Sequence, residues 1–310
     1  MKNTNKLIAA GLAIAFCQQA AAINITFDYS LDANGFFNDP TRKTVLEAAG
    51  SYFENVILDD LTAITTSGGD HFNIAVKNPA TGNTDTINDY SVAADTLIVF
   101  AGGRALSNSV LGKGGPGGFS GSAVTPGFFD NVISRGEGDA TAAATDGPTA
   151  TDFAPWGGAI TFDTDVDANW YFDTDLSTSG DIVGNDFYSV ALHELGHLLG
   201  IGLADSWDNL ISGTDFIGAA SIASFGGDVP LNPSFGHWEN GTQSQVNGVA
   251  QEAAMDPSIT TGTRKHFTDL DLAGLTDIGW EITAVPVPAA LWLLGSGMIG
   301  FAIVGRRRSV

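Results

Sequence analysis

The chain has 310 residues, of which 44% are hydrophobic, so it can build one large domain or two small ones around a packed core. Its 35 acidic residues outnumber 13 basic residues and give a formal charge of −22 at pH 7. Since contacts to phosphates need a basic surface, this charge argues against a nucleic-acid partner.

The first 22 residues have the pattern of a secretory signal peptide. Lys2 and Lys6 form a charged start, residues 7–16 are an apolar core, and residues 20–22 supply an A-x-A cleavage site. Cys17, the one cysteine of the sequence, lies inside this segment. We therefore expect an exported protein whose mature chain has neither a disulfide nor a cysteine-based latency switch.

Hydrophobic periodicity predicts the first elements of the mature chain. Residues 23–29 alternate apolar and polar side chains, as a half-buried strand does. Residues 41–58 carry apolar side chains at helical spacing, and Asp39 suits the start of that helix. Segments 71–76 and 96–101 are typical of strands, so the predicted order is strand, helix, strand, strand.

The middle of the chain contains two stretches that predict loops. Residues 112–121 include a G-x-G-x-x-G pattern, but no helical pattern follows it. A dinucleotide site needs that helix, so we predict a flexible loop. Residues 140–151 are low in complexity and predict a second loop. Residues 158–163 then predict a strand that leads into an acidic segment.

Five aspartates of this acidic segment have carboxylates that could bind calcium: Asp163, Asp165, Asp167, Asp173 and Asp175. They lack the spacing of an EF-hand and its terminal glutamate. A solvated acidic loop is therefore the favoured interpretation, and calcium binding is the alternative.

The most informative stretch is His193-Glu194-x-x-His197, which lies within a helical pattern. Histidines four residues apart stand one helical turn from each other, so both imidazoles face one side and suit a single zinc ion. Glu194 can reach a metal-bound water as general base. Two histidines carried by chance on a buried helix are the alternative interpretation.

The limits of this helix can also be predicted. Asn185 or Asp186 suits its N-cap, and Gly200 suits the position where the helix must stop with positive φ. Gly196 costs up to about 1 kcal/mol in a helix interior, so we expect a close backbone neighbour there.

A catalytic zinc site needs three protein ligands and an open position for water. In the astacin, matrixin and serralysin group the third histidine stands three residues after the motif glycine, and Leu203 occupies that position here. Leucine cannot bind a metal. The remaining candidates are His237, then Asp205 as second choice, while His71 and His266 are expected to be structural or solvated.

His237 stands in a Gly-His-Trp-Glu stretch, and an Ala-Met-Asp-Pro turn follows at 254–257. With the short motif, this order resembles leishmanolysin, a metzincin in which an insertion separates the motif from a late third histidine. The resemblance implies a set of site residues: zinc ligands His193, His197 and His237, catalytic base Glu194 and, beneath the metal, Met255. No tyrosine follows the turn, so the extra tyrosine ligand of astacins and serralysins is absent.

The same resemblance implies an α+β fold of the metzincin-like zincin type. It has a twisted mixed sheet with long helices, and a C-terminal subdomain after the active-site helix. The domain would cover 23–284, with an upper subdomain to about residue 200 and a lower subdomain over 201–284. An edge strand at 159–162 would hold an extended peptide substrate along the cleft. The segment between Gly200 and His237 would be the insertion.

The C-terminal part contains one more predicted helix and a distinctive tail. Residues 268–275 combine a cap residue, early acids and apolar spacing, which predicts a short helix. Residues 285–310 run from a Pro-x-Pro motif through about 17 apolar residues, the lower limit for spanning a bilayer, to three arginines. This order resembles a PEP-CTERM-type sorting signal, which implies an exosortase-type processing enzyme as partner. A permanent membrane anchor is the alternative.

The sequence as a whole predicts an exported bacterial zinc metalloendopeptidase that acts on a protein or peptide substrate. Two other functions stay open. One is a non-catalytic surface or matrix protein on a degenerate protease scaffold, which Leu203 favours. The other is a zinc hydrolase of a non-peptide bond, because the same water chemistry permits it.

Overall fold

The computed structural model describes residues 23–107, 109–178 and 180–283. The predicted signal peptide and the predicted sorting tail at 285–310 lie outside these residues. Across the described ranges, no helix has both the length and the apolar character needed to cross a membrane.

The described residues form strands and helices of mixed order, which confirms the predicted α+β class. The strands are β1 Asn24–Asp28, β2 His71–Lys77, β3 Thr84–Ile87, β4 Thr96–Arg104, β5 Gly112–Pro116, β6 Gly118–Ser122, β7 Gly157–Asp163, β8 Trp170–Tyr171, β9 Asn185–Asp186, β10 Ile211–Ser212, β11 Asp215–Phe216, β12 Val229–Pro230, β13 Gln243–Val246 and β14 Val249–Glu252. The helices are α1 Pro40–Val56, α2 Phe128–Ser134, α3 Glu137–Ala140, α4 Ala142–Thr145, α5 Phe187–Leu198, α6 Asp205–Asp208, α7 Ala219–Phe225 and α8 Asp269–Asp277.

The central sheet has the strand order β1-β4-β7-β5. Strands β1, β4 and β7 are parallel, and β5 pairs antiparallel with β7, with Gly114 opposite Ile160. All seven residues of β7 are buried, as expected for an inner strand covered on both faces. The prediction that residues 159–162 form the edge strand is therefore wrong, because β7 is flanked by β4 and β5.

The edge strand beside α5 is β5, within the segment that the sequence predicted to be a flexible loop. That prediction is also wrong, since residues 112–122 form β5 and β6. The glycines allow β5 to lie directly on α5. A Cβ on Gly112 would stand 2.6 Å from Oε1 of Glu194, and a Cβ on Gly114 would overlap the Glu194 carbonyl oxygen.

Helix α1 packs against α5, and the main hydrophobic core lies between these two helices and the central sheet. Asp39 caps α1 by accepting a hydrogen bond from the Thr41 amide, and Pro40 takes the first helical position. The inner face of α1 buries Leu46 and Phe53 completely, in the same core as Leu195 of α5. The predicted helix and its start are confirmed.

A second sheet, of order β3-β2-β6, covers a smaller apolar cluster around Phe72, Phe100 and Trp156. The low-complexity segment 140–151 was predicted to be a loop, but α4 and the end of α3 lie within it. The segment between Gly200 and His237 likewise contains short elements, α6, β10, β11, α7 and β12.

Helix α8 closes the C-terminal part of the described chain. Thr268 and Asp271 form a capping box at its start, so the predicted helix at 268–275 is confirmed and extends to Asp277. The ring of Trp280 is buried, and its Nε1–H donates to the Leu199 carbonyl at 2.7 Å. This bond ties the segment after α8 to the end of α5.

Candidate metal centre

Helix α5 has firm limits at both ends. Asp186 is its N-cap and accepts hydrogen bonds from the amide and hydroxyl of Ser189 at 3.1 and 2.6 Å. Gly200, just beyond its C-terminal end, has φ +106°, which a residue with a side chain rarely adopts. Both predicted limits are confirmed.

Three of the histidines named by the sequence meet at one point. His193 and His197 project from α5, and His237 approaches them from the loop after β12. The Nε2 atoms of His193 and His197 are 3.1 Å apart, and Nε2 of His237 lies 3.1 and 3.0 Å from them. The three rings therefore direct the same nitrogen to a common centre.

The Nδ1 atoms are turned toward the surrounding protein. Nδ1 of His193 is 2.7 Å from the Ala254 carbonyl, and Nδ1 of His197 is 2.8 Å from the Ile201 carbonyl. A carbonyl oxygen can only accept, so both rings carry their proton on Nδ1 and have a free lone pair on Nε2. Nδ1 of His237 lies 3.3 Å from the side-chain amide of Asn232.

Burial keeps these imidazoles neutral near pH 7. It lowers the pKa of His193 well below its ordinary value, helped by repulsion from the two other histidines, and it also lowers the pKa of His197. Burial and repulsion from His197 lower the pKa of His237 to about 4. Neutral imidazole is the form that binds a metal.

The donor set fits a zinc ion. Because Nδ1–H of His193 and of His197 donates to a carbonyl, the nearby Nε2 lone pairs have no proton to share between them. The Nε2 lone pairs of His193 and His197 therefore repel each other, and a cation between them would relieve this repulsion. Tetrahedral zinc with bonds of about 2.0–2.1 Å needs nitrogens about 3.3–3.4 Å apart, close to the observed spacing. The three side chains could thus hold one metal ion.

Glu194 lies beside the cluster and lines a cleft of about 830 Å³. Its side chain is buried, which raises its pKa to about 8, while the Gly114 amide and the charge of Lys113 oppose this shift. A divalent cation at the histidines would further favour the ionised carboxylate.

Met255 is fully buried beneath α5. A Cβ on Gly196 would stand 2.5 Å from the Met255 sulfur and 3.1 Å from the ring of Phe267. The close neighbour predicted at Gly196 is therefore present, but it consists of side chains rather than backbone.

The other candidates lie elsewhere. Asp205 begins α6 and its carboxylate accepts from the Gly147 amide, so the structure does not bring it to the histidines. His71 pairs with Asp89 at the surface, and His266 lies against Tyr188. Leu203 is 51% exposed and lines the cleft beside the cluster.

A sequence model of the matrixin family matches residues 133–213. The match includes α5 with His193, Glu194 and His197 and ends before His237. It supports a metzincin-type zinc protease, and the α+β fold is consistent with that family group. No curated protein and no solved structure matches the chain. The finer resemblance to leishmanolysin stays a prediction.

A second cluster is acidic. Carboxylate oxygens of Asp163, Asp165 and Asp167 lie within 4.8 Å of one another. Asp163 is buried and accepts from the amides of Leu106 and Asp165, whereas the other two aspartates are exposed. Asp173 is turned away toward Arg264 at 3.2 Å. Calcium binding here stays a prediction.

Sequence reasoning missed several residues that shape the centre. Gly112 and Gly114 fall within the predicted loop, although glycines can also mark a strand whose backbone passes close to another element. Asp271 was seen only as an early acid of a helix. Its burial among the segments that carry the three histidines has no local signature.

Proposed function

We propose that the chain is an exported zinc endopeptidase with a late third ligand of the leishmanolysin type. His193, His197 and His237 would bind the metal, Glu194 would be the catalytic base, and Met255 would form the apolar floor of the site. The observation that carries this proposal is the convergence of the Nε2 atoms of three histidines beside a buried glutamate that lines a cleft.

Zinc bound there would supply Lewis acidity that activates water and polarises the scissile carbonyl group. Glu194 would accept a proton from the attacking water as its oxygen bonds to the carbonyl carbon. When the carbon–nitrogen bond breaks, Glu194 would deliver that proton to the leaving amine. The two tasks need one carboxylate beside the metal, and Glu194 directly follows the proposed ligand His193.

The substrate would lie extended along β5, because this edge strand borders the cleft. Lys113 and Gly114 of β5 line the cleft, together with Pro257 and Ile259. Backbone groups at a free edge can pair with a peptide strand, which explains why an extended protein segment suits the cleft. The sequence had assigned this task to residues 159–162.

Export and sorting are further parts of the proposal and rest on composition alone. Residues 1–22 would direct secretion. Residues 285–310 would be recognised by an exosortase-type enzyme, or would anchor the chain in a membrane. The proposed location is the cell surface or the extracellular space.

The direct test is Glu194→Gln in the full-length chain. We expect native zinc content, measured by inductively coupled plasma mass spectrometry, with loss of at least about a hundredfold in peptide cleavage, as for removal of a general base. Glu47→Gln on the exposed face of α1 is the matched control and should leave both quantities unchanged. Undiminished cleavage by Glu194→Gln would refute the proposed mechanism.

Leu203 keeps one alternative open, a metal-binding scaffold without catalysis. A panel of peptide, ester and glycan substrates separates the possibilities. Zinc binding with no turnover of any substrate supports the non-catalytic scaffold, and turnover of esters or glycans alone supports a non-peptide hydrolase. Cleavage of peptides that depends on Glu194 supports the endopeptidase.

A further inference from the structure

Asp271 is a buried carboxylate that receives hydrogen bonds from three separate segments of the chain. It is the third residue of α8 and has no exposed surface. Its Oδ1 accepts from Trp238 Nε1 at 2.9 Å and from the Met255 amide at 3.1 Å. Its Oδ2 accepts from the Ala254 amide and from both the amide and hydroxyl of Thr268, at 2.7–2.8 Å.

Two of these segments lie next to the proposed metal ligands: one contains His237, and the other contains a carbonyl group that faces His193. Trp238 directly follows His237, and its amide donates to the Met255 carbonyl at 3.1 Å. The carbonyl of Ala254 is the group that faces Nδ1 of His193 at 2.7 Å. One carboxylate therefore joins the residue beside His237 to the residue that orients His193.

This connection bridges elements that are far apart along the sequence. His193 belongs to α5, whereas His237 arrives 44 residues later after a segment of short elements. Small changes in the relative position of the two segments would displace one Nε2 from the common centre. A rigid, buried acceptor that serves both segments removes that freedom.

We propose that Asp271 is a positioning residue that fixes His237 relative to His193, so that the affinity for zinc depends on it. The inference rests on the metal site of the proposed function. It concerns neither the reaction step nor the identity of the substrate. Thr268, in the third segment, forms the capping box of α8 with Asp271.

The test compares three variants of the full-length chain. Asp271→Asn replaces one of the two carboxylate oxygens by an NH2 group. This group cannot accept a hydrogen bond, so the N–H groups that donated to that oxygen lose their acceptor. Trp238→Phe removes only the indole donor and keeps an aromatic ring. Thr268→Val is the matched control, because it weakens the same capping box but leaves the bonds of Trp238, Ala254 and Met255 in place. Zinc dissociation constants come from competition with a chromophoric chelator, and thermal midpoints from the zinc-free proteins.

We expect Asp271→Asn and Trp238→Phe to weaken zinc binding by about 10–100-fold, the range typical of residues that orient ligands. Thr268→Val should lower the thermal midpoint and leave the dissociation constant within about twofold. Native affinity in Trp238→Phe would overturn the inference even if Asp271→Asn does not fold. Loss of affinity in all three variants in proportion to their loss of stability would also overturn it.

The same titration separates this inference from the proposed function. If the native chain binds zinc and the variants bind it weakly, but no peptide is cleaved, the inference holds and the endopeptidase proposal fails. If peptide cleavage depends on Glu194 but the variants bind zinc normally, the function holds and the inference fails. If the native chain binds no zinc, both fail.

Discussion

Gly114 lies against Glu194 so closely that the structure has no space for a side chain between them. A Cβ on Gly114 would overlap the Glu194 carbonyl oxygen and approach the Glu194 Cβ to 2.9 Å. The edge strand of the cleft and the helix that carries the proposed base are thus in direct backbone contact. This contact explains why the edge strand is rich in glycine.

Gly114→Ala should therefore displace β5 from α5. We expect a loss of about 1–3 kcal/mol in the free energy of unfolding, as for other overpacked sites, and a clear loss of peptide cleavage. Gly118→Ala is the matched control, since a Cβ there would meet Ala75 at an ordinary 3.7 Å. Chemical denaturation measures the free energy of unfolding. Equal stability of the two variants would contradict the proposed contact.

Removal of His237 should abolish tight zinc binding. Mutation of a residue that only orients a metal ligand typically lowers the affinity for the metal about 10–100-fold. Removal of the ligand itself should therefore lower the affinity for zinc by more than about a hundredfold. His71→Ala is the control, because His71 pairs with Asp89 at the surface. Zinc content after dialysis distinguishes the two variants. Full zinc in His237→Ala would show that another residue completes the site.

Arg264 should be essential for the start of α5. Its guanidinium contacts both oxygens of Asp186 at 2.8 and 3.1 Å, and neither side chain is exposed. Arg264→Met leaves a buried, unpaired carboxylate, which typically costs about 3–5 kcal/mol in the free energy of unfolding.

Adding Asp186→Asn to that variant should restore part of the loss, because asparagine is neutral and still a good N-cap. Denaturant unfolding of the native chain, the single variant and the double variant measures both effects. A single variant as stable as the native chain would contradict this account of the pair.

Two buried acids should contribute a stabilisation that falls as the pH rises through neutrality. Burial, together with the charges of Glu137, Asp152 and Glu281, raises the pKa of Asp59 to about 7. Burial and nearby acids also raise the pKa of Glu137 to about 7. Their ordinary values are 3.8 and 4.5, so the folded state prefers the protonated acids. This stabilisation is complete below about pH 4 and is lost as the pH passes 7.

Asp59→Asn should reduce this dependence, because an amide has no charge to develop in the buried position. We expect the thermal midpoint of the native chain, relative to that of the variant, to decrease between pH 5 and pH 8. Calorimetry across this range measures the difference. Parallel curves would show that Asp59 does not contribute to the pH dependence.

Local patterns in the sequence determined much of what the structure shows. The caps at Asp39, Asp186 and Thr268 and the stop at Gly200 depend on neighbours within one helical turn, so they could be predicted. The spacing of His193 and His197 follows from the same geometry. A family resemblance, rather than spacing, singled out His237 among the later histidines, and the structure brings it to the other two.

Tertiary structure alone decided which strand lies at the edge of the cleft and which carboxylate joins the segments around the three histidines. Residues 112–116 have the composition of a loop, and they form a strand because β7 and α5, both distant in the sequence, pack against it. Asp271 has the local pattern of a helix cap, and its contacts with Trp238 and Ala254 arise only when three distant segments pack together. Such contacts depend on the relative positions of whole elements, which no periodicity along the chain encodes.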